Sequence, residues 1–197
     1  MIKRIFDVVC SAMGLIVLAP LLLFIAIWIK KDSKGPIFFR QVRVGLHGEP
    51  FRIHKFRSMY TDSEAHGQLT VGNDSRITPS GHFIRKYKLD ELAQLIDVFR
   101  GKMSLVGPRP EVPKFMDQYS KEDREIILSV RPGITDRASI EMVDENEILS
   151  QYEDPSQAYV DIIMPIKAEH YKAYVKNHSL FGDIKIIIQT ILKIIKR

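Results

Sequence analysis

Residues 8–29, VVCSAMGLIVLAPLLLFIAIWI, carry no charged side chain. As a straight helix this run would extend roughly 33 Å, about the hydrocarbon core of a bilayer. Three arrangements are open: a spanning helix, a re-entrant helix that enters and returns to the same face, and a helix buried in a soluble core. Pro20 lies inside the run. There it removes one helix hydrogen bond and clashes with the preceding turn, at a cost of about 3 kcal/mol. The flanks are basic on both sides, with Lys3 and Arg4 before the run and Lys30 and Lys31 after it. Positive residues keep to the cytoplasmic side, so a spanning helix would leave one pair on the wrong side. A helix kinked at Pro20 satisfies both pairs, and a re-entrant membrane helix over residues 1–31 is the expectation. A cleaved signal peptide does not fit. The run is too long for the apolar region of such a peptide, and Pro20 directly follows the one plausible small-residue cleavage site.

The charge balance, 29 Lys+Arg against 24 Asp+Glu for a net +5, calls for an anionic partner. Much of that excess sits beside membrane-seeking segments and not on an aromatic platform, which argues for lipid headgroups or phosphorylated substrates and against nucleic acid. The composition excludes a disordered chain, a collagen-like fibre and a multi-span membrane protein. Cys10 is the single cysteine, so no internal disulfide forms. Its place inside the apolar block removes most of what it would say about redox compartment.

The remainder, residues 32–197, reads as one α+β unit, mostly helical. Residues 36–59 have the β-branched and aromatic content of a small β-hairpin, with Gly45, Gly48 and Pro50 supplying turn chemistry. Residues 60–77 read as a polar loop. Thr78-Pro79 is a helix cap followed by proline at the first helical position, and helix is expected from there to Phe99 with a break near Leu89. Residues 105–110 are expected as a stiff extended loop. Ser120 and Asp123 form a capping-box pattern before EIILSV. Residues 144–177 read as helix interrupted at Pro155 and Pro165. The C-terminal stretch, about 180–197, carries Ile184, Ile187, Ile188, Ile191, Leu192 and Ile195 on one helical face and Lys185, Gln189, Lys193 and Lys196 on the other. That pattern suits an amphipathic helix lying in a membrane interface, or equally a helix packed on the core.

Three short patterns carry candidate chemistry. Asp90 and Glu91 are adjacent carboxylates, with Arg85, Lys86 and Lys88 just upstream. A carboxylate can act as nucleophile while its neighbour binds a divalent cation or moves a proton, though such pairs are commonly just a solvated helix face. Lys55 and Arg57 share one face of a strand, as a phosphate clamp or as a solubilising edge. In Pro108-Arg109-Pro110 two prolines fix the backbone around one arginine, suiting recognition of a phosphate or carbonyl, or simply a rigid surface turn. Paired Cys/His zinc ligands, a Walker loop and a GxGxxG turn are all missing from the sequence.

In order along the chain stand Lys3-Arg4-Ile5-Phe6-Asp7, the Pro20-broken segment, Lys55-Phe56-Arg57-Ser58-Met59, Leu89-Asp90-Glu91-Leu92, Val106-Gly107-Pro108-Arg109-Pro110 and Arg131-Pro132-Gly133-Ile134-Thr135. Six motifs in this register resemble the bacterial sugar transferases, the monotopic polyprenyl-phosphate phosphoglycosyl transferases, in their minimal catalytic form. The resemblance implies transfer of a sugar-1-phosphate from a UDP-sugar to polyprenyl phosphate through a covalent aspartyl intermediate, with release of UMP. It implies Asp90 as nucleophile, Glu91 assisting through Mg²⁺ (metal site Asp90 and Glu91), and Arg85 on phosphate. Pro108, Arg109 and Pro110 would line the nucleotide end, with Lys55 and Arg57 as further phosphate contacts and Pro20 as the membrane kink. It further implies a position at the cytoplasmic face of the bacterial inner membrane, with both ends of the apolar segment cytoplasmic and membrane lipids as partners.

Several positions depart from the family pattern. Ala19 stands where a small hydroxyl residue is common before the membrane proline, Lys88 where Ser or Thr often caps the dyad helix, and Ala93 where proline is common. Residues 136–145 read DRASIEMVDE in place of a Gly-Trp-Ala-Gln-Val-Asn-Gly-Arg run. These departures motivate a second reading, a catalytically inactive scaffold or lipid-binding subunit of the same fold. The sequence leaves the sugar, the acceptor length, the pathway and the oligomeric state open.

Overall fold

The computed structural model describes residues 2–61, 69–70, 74–142 and 145–196. Most of the loop expected over residues 60–77, and residues 143–144 of the divergent segment, lie outside these. Helix α1, Ile2–Asp32, is a single helix that passes through Pro20. Polar groups fasten its first turns. Asp7 is buried and accepts hydrogen bonds from Ser104 Oγ at 2.8 Å and the Leu105 N–H at 3.2 Å. Arg4 donates to the carbonyls of Val98 and Phe99, and Lys3 pairs with Asp183. Apolar packing holds the other end. Ile25 and Ile29 join Phe56, Ile84 and Ala93 in one core cluster, and Asp32 accepts from the backbone N–H and Oγ of Ser80. Both ends of α1 are thus held by one folded body. Between them Ile16, Val17, Leu21, Leu23 and Phe24 are exposed. Only 11% of the helix's most apolar stretch is buried, so α1 is not a core helix, and it is long and apolar enough to cross a membrane.

The hairpin forms as two short antiparallel pairs in one continuous register. Strand β1, Phe38–Phe39, pairs with β4, Lys55–Phe56, and β2, Val42–Val44, pairs with β3, Pro50–Arg52. The turn between β2 and β3 uses positive φ at His47 and Gly48, and glycine takes that conformation without a Cβ penalty.

Helix α2, Pro79–Lys86, starts as the cap pattern predicts, with Thr78 Oγ1 accepting from the Gly81 N–H at 3.0 Å. The expected break near Leu89 is a left-handed Lys88 (φ 55°) followed by a 3₁₀ segment, Leu89–Gln94, and helix α3, Leu95–Phe99. Gly101 at φ 82° turns the chain away. Part of the stretch expected as an extended loop is a strand. β5, Ser104–Val106, pairs in parallel with β6, Gly133–Thr135, 27 residues or more further along. A Cβ on Gly133 would lie 2.1 Å from the Gly107 nitrogen, so the close approach requires glycine there.

The second core gathers α4, Pro113–Met116, α5, Lys121–Ile127, α6, Arg137–Glu141, α7, Glu145–Leu149, α8, Pro155–Ala158, and α9, Met164–Asn177. Ser120 caps α5 by accepting from the Asp123 N–H. A break at Pro165 does not occur. A π-helical turn, Tyr159–Ile163, joins α8 to α9, and the helix runs through the proline because the extra residue per turn shifts the bonding pattern the missing N–H would interrupt. Helix α10, Leu180–Ile195, packs one side on β5, β6 and α6. Its other side leaves Phe181, Ile184, Ile188, Ile191, Leu192 and Ile195 exposed. Helix α1 likewise leaves Ile16, Val17, Leu23 and Phe24 exposed.

Candidate active site

Asp90 and Glu91 sit on the 3₁₀ segment that follows the left-handed Lys88. They are 2% and 7% exposed, so the pair is not a solvated helix face. Lys55, on β4, reaches across to both, with Nζ 3.0 Å from Asp90 Oδ2 and 3.5 Å from Glu91 Oε1. Arg109 follows β5 by three residues and grips Glu91 from the other side, at 2.7 Å to Oε1 and 3.4 Å to Oε2. Burial alone would raise the Glu91 carboxyl. Arg109, Lys88 and Lys55 outweigh it and hold the group well below the usual carboxylate range, while Glu91 in turn raises Arg109. The frame behind this cluster is pinned by His54, whose N–H donates to Asp97 Oδ2 and whose Nδ1 sits 2.7 Å from Asp97 Oδ1, tying β4 to α3.

Asp90 Oδ1 is the exception in this well-satisfied cluster. It is buried and has no hydrogen-bond partner. Buried polar atoms are ordinarily paired, so an orphaned carboxylate oxygen marks either a reacting atom or a ligand position. Asp90 itself lines a cavity of about 570 Å³ together with Lys55, Arg85, Lys88, Glu91 and Arg109, among others. That volume lies in the usual range for small-molecule sites.

Of the residues singled out from sequence, Lys55, Arg85, Asp90, Glu91 and Arg109 meet at this cavity. Arg85 lies in the last turn of α2 and donates to Thr70 Oγ1 at 2.9 Å. Arg57 borders the cavity, but its donors are committed elsewhere. Nε, Nη1 and Nη2 bond the carbonyls of Pro36, Lys34 and Ser33, which makes it the clasp on the chain leaving α1. Pro108 and Pro110 border a separate small void with Met116, Ile127 and Pro132. They hold Arg109 without lining the cavity. Pro20 lies exposed in the middle of α1, remote from these groups in the chain. Sequence reasoning missed Arg43, Glu111, Tyr159 and Lys167, which line the same cavity. The alternation of the hairpin could have flagged Arg43, and the adjacency of Glu111 to Pro110 could have flagged Glu111. No local signal marks Lys167.

The carboxylate set fits a divalent cation of the Mg²⁺ kind. Such ions take one or two protein carboxylates and complete their shell with water and substrate phosphates, and here Asp90 and Glu91 are adjacent buried carboxylates lining the cavity. Among the described residues no cluster of three or more ligating side chains would form a closed protein cage.

A family profile described as bacterial sugar transferase matches residues 1–197. An Aeromonas hydrophila protein named UDP-N-acetylgalactosamine-undecaprenyl-phosphate N-acetylgalactosaminephosphotransferase is 40% identical, over 98% of this chain and 44% of its own length. A Klebsiella pneumoniae protein named UDP-glucose:undecaprenyl-phosphate glucose-1-phosphate transferase is 37% identical, over 97% of this chain and 39% of its own. One of the same name from Caulobacter vibrioides is 38% identical, over 96% of this chain and 68% of its own. The chain therefore spans less than half the length of the first two relatives.

Proposed function

The chain belongs to the bacterial sugar transferase family, and on that premise we propose that it moves a sugar-1-phosphate from a UDP-sugar to a polyprenyl phosphate at the cytoplasmic face of the inner membrane. The observation that carries this reading is Asp90, which lines a cation-rich cavity and holds a buried Oδ1 without a hydrogen-bond partner. Relatives named for undecaprenyl-phosphate sugar phosphotransfer support it. They differ in the sugar named, so the sugar moved by this chain is left open.

The reaction follows from the charges. Asp90 Oδ1 attacks the phosphorus that bears the sugar. The bridging P–O bond breaks, and UMP departs with the electron pair. A phosphosugar ester of Asp90 remains, and a phosphate oxygen of the polyprenyl acceptor then attacks the same phosphorus and frees Asp90. Bringing a carboxylate to a diphosphate means overcoming repulsion between anions. Lys55 and Arg109 lie within hydrogen-bond or ion-pair reach of the dyad, and cations so placed stabilise charge on the transferring group. Arg85 borders the same cavity as a further phosphate contact. A Mg²⁺ ion held by Asp90 and Glu91 would add charge neutralisation on the diphosphate. Arg109, Lys88 and Lys55 keep Glu91 ionised in spite of its burial.

The acceptor has a lipid tail, and the exposed apolar faces of α1 and α10 suit a body seated in one leaflet. Both ends of α1 grip the same folded unit. This favours an arrangement in which the segment returns to the face it entered. A panel of UDP-sugars with polyprenyl phosphate, read as UMP release, tests the function. UMP formed with one or more donors is expected. No nucleotide product from any donor would favour the inactive scaffold.

A further inference from the structure

Lys88 is a poor choice for the backbone it occupies. Its φ of 55° and ψ of 22° are left-handed, a region where a Cβ crowds the following carbonyl. Among the described residues only His47 is another non-glycine residue with positive φ. The conformation is imposed from both sides. The Lys88 N–H donates to the Arg85 carbonyl at 3.1 Å, at the end of α2. The Lys88 carbonyl accepts from the Glu91 N–H at 3.1 Å, at the start of the 3₁₀ segment. That segment has no side-chain cap, because lysine brings no acceptor to a position where Ser or Thr is common in the family. A cation there also faces the unpaired N–H groups of a helical start, which carry partial positive charge. Glycine would relieve the strain and a hydroxyl would supply the cap. Lysine does neither. Strain held in place by its surroundings clusters at functional sites.

The ammonium has an open cavity before it. Lys88 is exposed and lines the cavity together with Asp90 and Glu91. The other cations near the dyad have partners within the protein. Lys55 lies 3.0 Å from Asp90 Oδ2, Arg109 lies 2.7 Å from Glu91 Oε1, and Arg85 donates to Thr70 Oγ1 at 2.9 Å. Among the described residues the Lys88 ammonium has no hydrogen bond and no ion pair. It is nonetheless near enough to help hold Glu91 ionised. Lys55 and Arg109 balance Asp90 and Glu91, so the charge of a bound diphosphate falls to the remaining cations. Lys88 can meet phosphate oxygens with all three of its donors and without releasing a protein contact.

We infer that Lys88 is a further phosphate-binding residue, a cation this chain adds to the family's usual set, with its ammonium on the donor diphosphate beside Asp90. The inference rests on the transferase reading. Its test uses the full-length protein in detergent as wild type, Lys88→Met, Lys88→Gly and Lys88→Arg. Three quantities are read: pyrophosphate affinity, the rate of adduct formation with a UDP-sugar, and Tm. Lys88→Met and Lys88→Gly weaken pyrophosphate about fivefold or more and slow the adduct about tenfold or more. Lys88→Arg, which keeps the charge, retains most of both. Lys88→Gly leaves Tm unchanged or raises it by up to about 4 °C, since glycine takes the left-handed conformation without a Cβ penalty. Binding and stability thus move independently, which a structural lysine does not allow. Wild-type pyrophosphate affinity and adduct rate in Lys88→Met and Lys88→Gly would make Lys88 a solvated side chain. A lowered Tm in Lys88→Gly, in step with the lost binding, would make it structural. Either result overturns the inference alone. Wild type that forms no adduct with any UDP-sugar would overturn the transferase reading, while the pyrophosphate arm still decides the contact of Lys88. Should Lys88→Gly fail to fold, Lys88→Met with rescue by Lys88→Arg carries the test.

Discussion

Replacing Arg109 with methionine should expose how the dyad is kept ionised. In the wild type Arg109 donates to both Glu91 oxygens, and Glu91 side-chain exposure is 10%. Removing one partner of a buried pair costs about 3–5 kcal/mol. Here Arg109 is itself 29% exposed, and Lys55 remains 3.5 Å from Glu91. The loss at pH 7.5 is therefore set at about 2–3 kcal/mol, or roughly 5–10 °C in Tm for a chain of this size. The pH dependence is distinctive. The folded-state Glu91 carboxyl is depressed in the wild type, so its contribution is present above the ordinary carboxylate value and lost only as pH falls through the lower folded one. In Arg109→Met burial gains the upper hand and Glu91 rises, so the penalty for its charge fades as the solution is acidified. The Tm difference from wild type should shrink between pH 7.5 and pH 5. Adding Glu91→Gln to Arg109→Met should recover much of the loss. Thermal melts of the three proteins at the two pH values decide the matter. A pH-independent gap, or a double variant as unstable as the sum of the singles, would refute the electrostatic account of the pair.

Other residues make separate claims. Arg57→Met should cost about 2–4 kcal/mol by releasing the chain that leaves α1, with donor KM unchanged. A raised KM at unaltered Tm would return Arg57 to the substrate. Gly133→Ala forces a Cβ against the Gly107 backbone and should destabilise at the upper end of the about 1–3 kcal/mol typical of overpacking; a wild-type melt would mean that β5 and β6 can separate freely. Cysteines introduced at Ile2 and Lys34, in a Cys10→Ala background, should both react with a membrane-impermeant thiol reagent only from the cytoplasmic side. Labelling from opposite sides would establish a spanning helix.

Much of the fold was legible because its signals are local. Thr78-Pro79 and Ser120 cap the helices they precede, the Gly45–Pro50 turn closes the hairpin, and the uncharged run of α1 is one helix. The dyad and Arg109 were legible as motifs, and their burial beside Lys55 was not, because it depends on β4 meeting the 3₁₀ segment. The β5–β6 pair escaped because three-residue strands far apart in sequence carry no periodicity of their own. Arg57 illustrates a different limit. Strand alternation put it on one face with Lys55, but β4 ends at Phe56 and three backbone carbonyls claim the Arg57 guanidinium, which no pattern in the sequence announces. Arg43, Glu111 and Lys167 line the cavity from β2, the segment before α4 and α9, so only packing brings them together.

The most direct test of the account is the mass of the protein after incubation with a UDP-sugar that it turns over, in the presence of Mg²⁺ and without lipid acceptor. The account predicts an added sugar phosphate on the peptide containing Asp90, one UMP released per adduct, loss of the adduct when polyprenyl phosphate is supplied, and no adduct in Asp90→Asn. Sustained transfer by Asp90→Asn, or an adduct located on another residue, would contradict it.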